Sequence, residues 1–420
     1  MSPRDAPMDR FAEHAARAAA LGELHARPAP TVDGEARVLR LVFAFDPDYA
    51  GRDDALIAAL CAESGASPPQ AGARAARFAA GALEARWERH SEFVTYTFLA
   101  RDPAGDAQAP AAVARLRAAQ PGPLVAALRC RVRRDASPPA GQGGCASRVA
   151  GGRAVLATSF RADPEGFVDF DLACGGLSPE ETGALVQWTL EIETYRTLAL
   201  LALPIARRVG AMVRDSETLL GGLTQRLAAQ DLTAGAESLY AELMHLAARI
   251  EAEIASSTYR FAAAQAYGAI VEDRLARLEE KPVDGRPMVG VFLSTRLTPA
   301  LRTCASMHAA LQDLARRCGR AADLIRTRID LQLARQANEQ LDALNERTRL
   351  QMRLQQTVEG LSVAAVSYYV LGLAGYFVKG AKDAGLLPWE PGVVVAALAA
   401  PVIVAVALAV RRIRRRHGGH

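Results

Sequence analysis

At 420 residues the chain is long enough for two or three domains. Its formal charge of +4 at pH 7 is too small for this length to leave a nucleic-acid footprint. Half of the residues are hydrophobic but only 6% are aromatic, and the only lysines are Lys281, Lys379 and Lys382, so the bias towards alanine and arginine looks like that of a GC-rich coding sequence and says little about function.

The six cysteines, Cys61, Cys130, Cys145, Cys174, Cys304 and Cys318, form no CxxC pair and no Cys/His ligand spacing. Reduced thiols in a reducing compartment are expected. The opening "MSPRDAPMDRFAEHAARAAALGELHARP" has acidic residues and no unbroken apolar stretch. No secretory signal is expected there, and the soluble part is expected on the cytoplasmic side.

From about residue 36 to 175 the pattern is that of strands with short connections. "ARVLRLVFAF" (36–45) is rich in β-branched and bulky residues. "LEARWERH" (83–90) and "EFVTYTFLA" (92–100) predict a hairpin turning near Ser91. "PLVAALRCRV" (123–132), "RAVLATSF" (153–160) and "GFVDFDLA" (166–173) predict further strands, with a helix from Asp53 to Ser64 and a loop over 135–144. Residues 1–177 thus read as a cytoplasmic α+β domain.

The texture changes at "LSPEETGALVQW", where Ser178, Pro179 and Glu181 make a capping-box pattern. Long helices are predicted from Pro179 to about Leu227 and from Ala234 to about Leu278, with Pro204 dividing the first and a loop over 279–287. Ala321 to Glu359 holds no Gly or Pro, which predicts a helix of roughly 58 Å. An apolar stripe including Leu324, Ile325 and Leu333 lacks a persistent heptad. Residues 178–359 therefore read as a helix bundle with a stalk.

Residues 360–420 read as a transmembrane hairpin with a basic tail. Spans of 18 uncharged residues, 361–378 and 393–410, are separated by a short loop. Each makes about 27 Å of helix, close to the ~30 Å hydrocarbon core. Arg411, Arg412, Arg414, Arg415 and Arg416 follow the second span, and Arg347, Arg349 and Arg353 precede the first. The positive-inside rule then places both termini in the cytoplasm. Gly372 and Gly375 suit helix contacts, and Tyr368 and Tyr369 fall mid-span, where pairing between helices or lining of a pore would satisfy their hydroxyls.

Five stretches together, "ELHARP" (23–28), "WERHSEF" (87–93), "EIETYRTLALLALPIAR" (191–207), "LIRTRIDLQL" (324–333) and "LQQTVEGLSVAAVSYYVLGLAGY" (354–376), resemble a bacterial family of predicted membrane-anchored proteins, domain of unknown function 3422. The resemblance implies a bacterial inner-membrane protein and no reaction. In layout alone the chain also resembles CorA-type magnesium channels, whose Gly-Met-Asn signature is replaced here by "GLAGYFVKGAK" (372–382).

Two clusters invite chemistry. Glu23, His25, Glu88, His90 and Glu92 are candidate metal ligands or an acid/base set, with Arg27 and Arg89 as ion-pair partners. On the helix, Glu191, Glu193, Tyr195 and Arg196 form a second polar cluster, for which ion pairing is the default. There is no P-loop, GxSxG, HExxH or dinucleotide fingerprint, and no cofactor is expected. The expected product is a non-enzymatic scaffold or sensor at the inner membrane. It would be partnered by the lipid bilayer, by further copies of itself and by an unidentified cytoplasmic protein. A CorA-like ion channel and a metal-dependent enzyme using His25 and His90 are the alternatives.

Overall fold

The computed structural model describes residues 14, 17, 29–70, 72–135, 137, 144–229, 235–283 and 285–417. They form an α+β protein that divides into two units, Met1–Ala322 and Asp323–His420.

The first unit is built on one nine-stranded sheet: β1 (Ala36–Ala44), β2 (Ala75–Ala80), β3 (Leu83–Arg89), β4 (Phe93–Ala100), β5 (Leu124–Arg133), β6 (Cys145–Val149), β7 (Ala154–Ala162), β8 (Val168–Cys174) and β9 (Lys281–Pro282), in the spatial order 2-3-4-1-5-8-7-6-9. Every neighbouring pair is antiparallel except β5 and β8. A parallel pair needs a long crossover, and here that connection is spent on the β6–β7 hairpin.

Side chains of a strand alternate between faces, and β1 shows what each face receives. Leu39, Leu41 and Phe43 point to the side covered by α1 (Arg52–Glu63) and α2 (Pro103–Ala119), where they pack with Leu56, Trp87, Tyr96, Phe98 and Leu116. Burying side chains such as Phe98 and Leu116 stabilises by roughly 2–3 kcal/mol each. The buried Asp53 of α1 ties this layer down, accepting from Tyr96 Oη at 2.6 Å and Trp87 Nε1 at 3.1 Å.

The opposite face meets α3 (Pro179–Leu200), through Val42, Phe93, Ala126 and Leu198. The capping box forms as predicted: Glu181 N–H donates to Ser178 Oγ at 3.2 Å, and Ser178 N–H donates to Glu181 Oε2 at 2.9 Å. The helix breaks at Leu201, ahead of Pro204, which cannot donate back to Leu200; α4 (Ala202–Ala229) and α5 (Ala236–Arg277) follow. α5 packs alongside α3.

Four elements escape the sequence reading. α2, β2 and β6 are short or alanine-rich and lack strong periodicity, and α2 contains Pro110. The predicted loop over 279–287 contains β9, which pairs with β6 through Ser147–Pro282 and Arg148–Lys281.

A final pair of helices, α6 (Val289–Asp383) and α7 (Pro391–His417), completes the chain. The part of α6 within the first unit buries Leu293, Leu297, Leu311 and Leu314. In the second unit nearly every residue from Leu331 to Glu359 is exposed. Gly385, with φ at 77°, ends α6 in the left-handed conformation glycine favours. By length and composition both helices suffice to cross a membrane.

Two predictions concern α3. A β-carbon at Gly183 would lie 1.6 Å from the Pro30 carbonyl oxygen, so Gly183→Ala should cost at least ~2 kcal/mol; denaturant unfolding measures it, and an unchanged midpoint refutes the close approach. The Arg153 guanidinium, with the Ser178 N–H, holds the Glu181 carboxyl down at about 2 instead of 4.5. That stabilisation is complete above the ordinary carboxylate value and fades as pH falls towards 2. The gap in Tm between the protein and Glu181→Gln should therefore be constant above pH ~5 and close on acidification.

Candidate functional site

On the α3 side of the sheet, strand register assembles a row of charge. Arg77 of β2 stands opposite Arg86 of β3, Arg86 opposite Thr97 of β4, and Thr97 opposite Arg40 of β1. Like charges directly opposite one another weaken a sheet, so this row needs compensation. The buried Glu88 supplies part of it: Arg86 Nη2 donates to its Oε1 at 2.7 Å, and Arg40 Nη2 lies 3.5 Å from its Oε2.

One donor of the row, on Arg40, stays unsatisfied. Arg40 is only 3% exposed. Its Nε donates to Thr97 Oγ1 at 2.9 Å, while its Nη2 is buried with no hydrogen-bond partner. Burial pulls the Arg86 guanidinium below its ordinary range; Glu88 opposes this, and the positive charges of Arg40 and Arg77 add to it. Arg77 is exposed and makes no ion pair among the described residues. Arg101 is held by Glu84 at 2.6 and 3.0 Å and donates to the Thr31 carbonyl at 2.8 Å.

These groups wall a cavity of about 500 Å³, a size typical of small-molecule sites. Val38, Phe78, Leu99 and Leu190 supply apolar surface to it, and Gln187 reaches in from α3. The Gln187 Oε1 atom is buried without a hydrogen-bond partner. A cavity of about 510 Å³ lies on the opposite face, where four lining arginines are balanced by Asp106, Glu165, Asp169 and Asp171; Arg129 pairs with Asp163, Glu165 and Asp169, and Arg37 with Asp106.

Of the residues singled out in the sequence, Glu88 belongs to the row. Arg89 points to the other face and pairs with Asp53 and Asp54. The His90 ring stacks on Phe93 at 4.1 Å in the β3–β4 turn. Glu92 accepts from Arg260 at 3.1 and 2.7 Å and from the Tyr267 hydroxyl, both on α5. Burial, and then Glu92, push the Tyr267 phenol upward. Tyr195 stacks on Tyr267 at 5.4 Å and meets Phe93 edge-on at 6.1 Å. Glu191 binds Arg274 and Gln187, while the buried Glu193 binds Arg196. Glu23, His25 and Arg27 lie outside the described residues. No three His, Cys, Asp or Glu side chains converge as metal ligands among the described residues.

In the second unit Tyr368 and Tyr369 are exposed, with ring centroids 5.9 Å apart. Gly375 faces Val395 of α7, whereas Gly372 faces open space. Arg411 and Arg412 are exposed, and Arg414, Arg415 and Arg416 also belong to α7. The sequence reading missed Arg40, Arg77, Arg86 and Thr97. The available signal was Arg40 itself, a charge at the centre of the otherwise apolar "VLRLVF".

Glu92 joins the β3–β4 turn to α5, so Glu92→Ala should leave Arg260 half-buried and unpaired at a cost of about 2 kcal/mol. Equilibrium unfolding of the variant tests this, and a loss below ~0.5 kcal/mol would mark the pair as an ordinary surface contact.

No curated protein and no solved structure matches the chain, and the likeness to CorA-type channels rests on layout alone. The family described as "Protein of unknown function (DUF3422)" matches residues 12–417, and the chain belongs to that family.

Proposed function

We propose that this chain is a non-enzymatic scaffold or sensor anchored in a bacterial inner membrane by α6 and α7, with its first unit in the cytoplasm. One observation carries the reading. The apolar stretches of the two helices are almost entirely uncovered, with Tyr376 80%, Phe377 78% and Val393 60% exposed. The core helix of a water-soluble protein would bury such a stretch, and apolar surface this extensive calls for lipid or protein cover. The arginines flanking the two spans outnumber Lys379 and Lys382, which lie between the spans in the last turns of α6, where Lys382 is paired with Glu390 at 2.9 Å. This asymmetry supports cytoplasmic termini.

Tyr368 and Tyr369, 76% and 71% exposed within the first apolar stretch, favour cover by a second copy of the hairpin, because an unpartnered hydroxyl in hydrocarbon is costly. A ring of copies around an ion path is the second reading. An unidentified cytoplasmic protein remains the partner a scaffold would need.

Cysteine labelling of the full chain in spheroplasts tests the anchoring, since the six native thiols are buried. Leu386→Cys should react with a membrane-impermeant maleimide in intact spheroplasts, and Gln340→Cys only after permeabilisation. Release of the protein by alkaline carbonate, or the reverse labelling pattern, would overturn the reading.

A further inference from the structure

We propose that the cavity between the β2–β3–β4–β1 face and α3 binds a small phosphate monoester, with Arg40, Arg77 and Arg86 taking the phosphate and the apolar wall taking the organic body. The inference stands on the first unit alone and does not rest on membrane anchoring.

Charge is the first argument. Among the described residues that line the cavity, the four arginines Arg40, Arg77, Arg86 and Arg101 stand beside one acid, Glu84, and Glu88 pairs with Arg40 and Arg86. A phosphate monoester brings nearly two negative charges at neutral pH. The lining of the cavity on the opposite face carries four arginines and four acids, so its charges balance.

Hydrogen bonding is the second. Arg40 is buried with Nη2 lacking a hydrogen-bond partner, and leaving such a donor unmade is expensive in a folded protein. Glu88 sits at 3.5 Å, close enough to hold the charge in place but not to satisfy the donor. A ligand oxygen between Arg40 and Arg86 would satisfy it, in the forked geometry by which guanidinium groups bind phosphate.

Geometry is the third. Arg77 and Arg40 lie at opposite ends of a row three strand spacings across, about 14 Å between backbones. From those ends, long side chains can reach towards the Arg86–Thr97 pair at the middle. Leu99 and Leu190 offer the rest of the ligand an apolar surface.

Isothermal titration of the full-length protein in detergent, at constant ionic strength, tests the proposal with glycerol 3-phosphate, dihexanoyl phosphatidic acid, succinate and acetate. Glycerol 3-phosphate should bind and raise Tm, while acetate should do neither. Binding of the phosphatidic acid alone would support the site and identify the source of the phosphate as a lipid headgroup. Arg77→Gln removes a side chain with no ion pair among the described residues, so its unliganded Tm should be unchanged while binding weakens about tenfold, or ~1.4 kcal/mol. Arg37→Gln, at the opposite cavity, should bind as the unaltered protein does. No binding of either phosphate compound at millimolar concentration, equal binding by Arg77→Gln, or tighter binding of succinate would each overturn the proposal.

Discussion

The two-residue alternation of the central strands is the constraint on which the first unit depends. Strand β1 sends Leu39, Leu41 and Phe43 one way and Val38, Arg40 and Val42 the other. A slip of one residue would exchange the two sets. One face can therefore be closed by α1 and α2 around Trp87 and Tyr96, while the other combines apolar packing with a line of guanidinium groups. The buried Asp53 holds the first arrangement, taking hydrogen bonds from both aromatic rings.

The second face is closed differently. Apolar contact between sheet and α3 is concentrated at Val42, Phe93, Ala126 and Leu198, towards the β3–β4 turn. There Glu92 reaches Arg260 and Tyr267 of α5, and Tyr195 fills the space between. The other end of α3 is fixed by the Ser178 capping box and by the close passage of Pro30 over Gly183. Held at both ends, α3 spans the arginine row without filling the space above it. The helix is thus a roof with fixed supports, as a preorganised binding cavity requires.

Much of the fold was legible because its signals are local. The Ser178–Glu181 box, the break before Pro204, the strand pair around Ser91 and the two uncharged stretches near the end of the chain each lie within a few turns of sequence. The arginine row was not legible. Arg40, Arg77 and Arg86 meet only through the registers β2–β3, β3–β4 and β4–β1, which no local window contains. His90 and Glu92 show the converse: their spacing suggested shared chemistry, yet one ring stacks on Phe93 and the other side chain is taken up by α5. Alternation along a strand predicted a common face, but the turn begins at His90 and ends that alternation.

The strand β9 has a consequence for the order in which the protein can be made. It completes the sheet beside β6, but Lys281 follows Val149 by some 130 residues, with α3, α4 and α5 between. At ribosomal speeds of about 5–20 residues per second, β6 waits roughly ten seconds for its neighbour. During that interval the backbone groups of Ser147 and Arg148 form an unprotected rim on the growing chain, open to pairing with another nascent copy. The three helices that emerge meanwhile bring the closing strand into position, and Pro282 at its end limits any further extension of the sheet. The helical layer thus sets the time at which the β6 edge is covered.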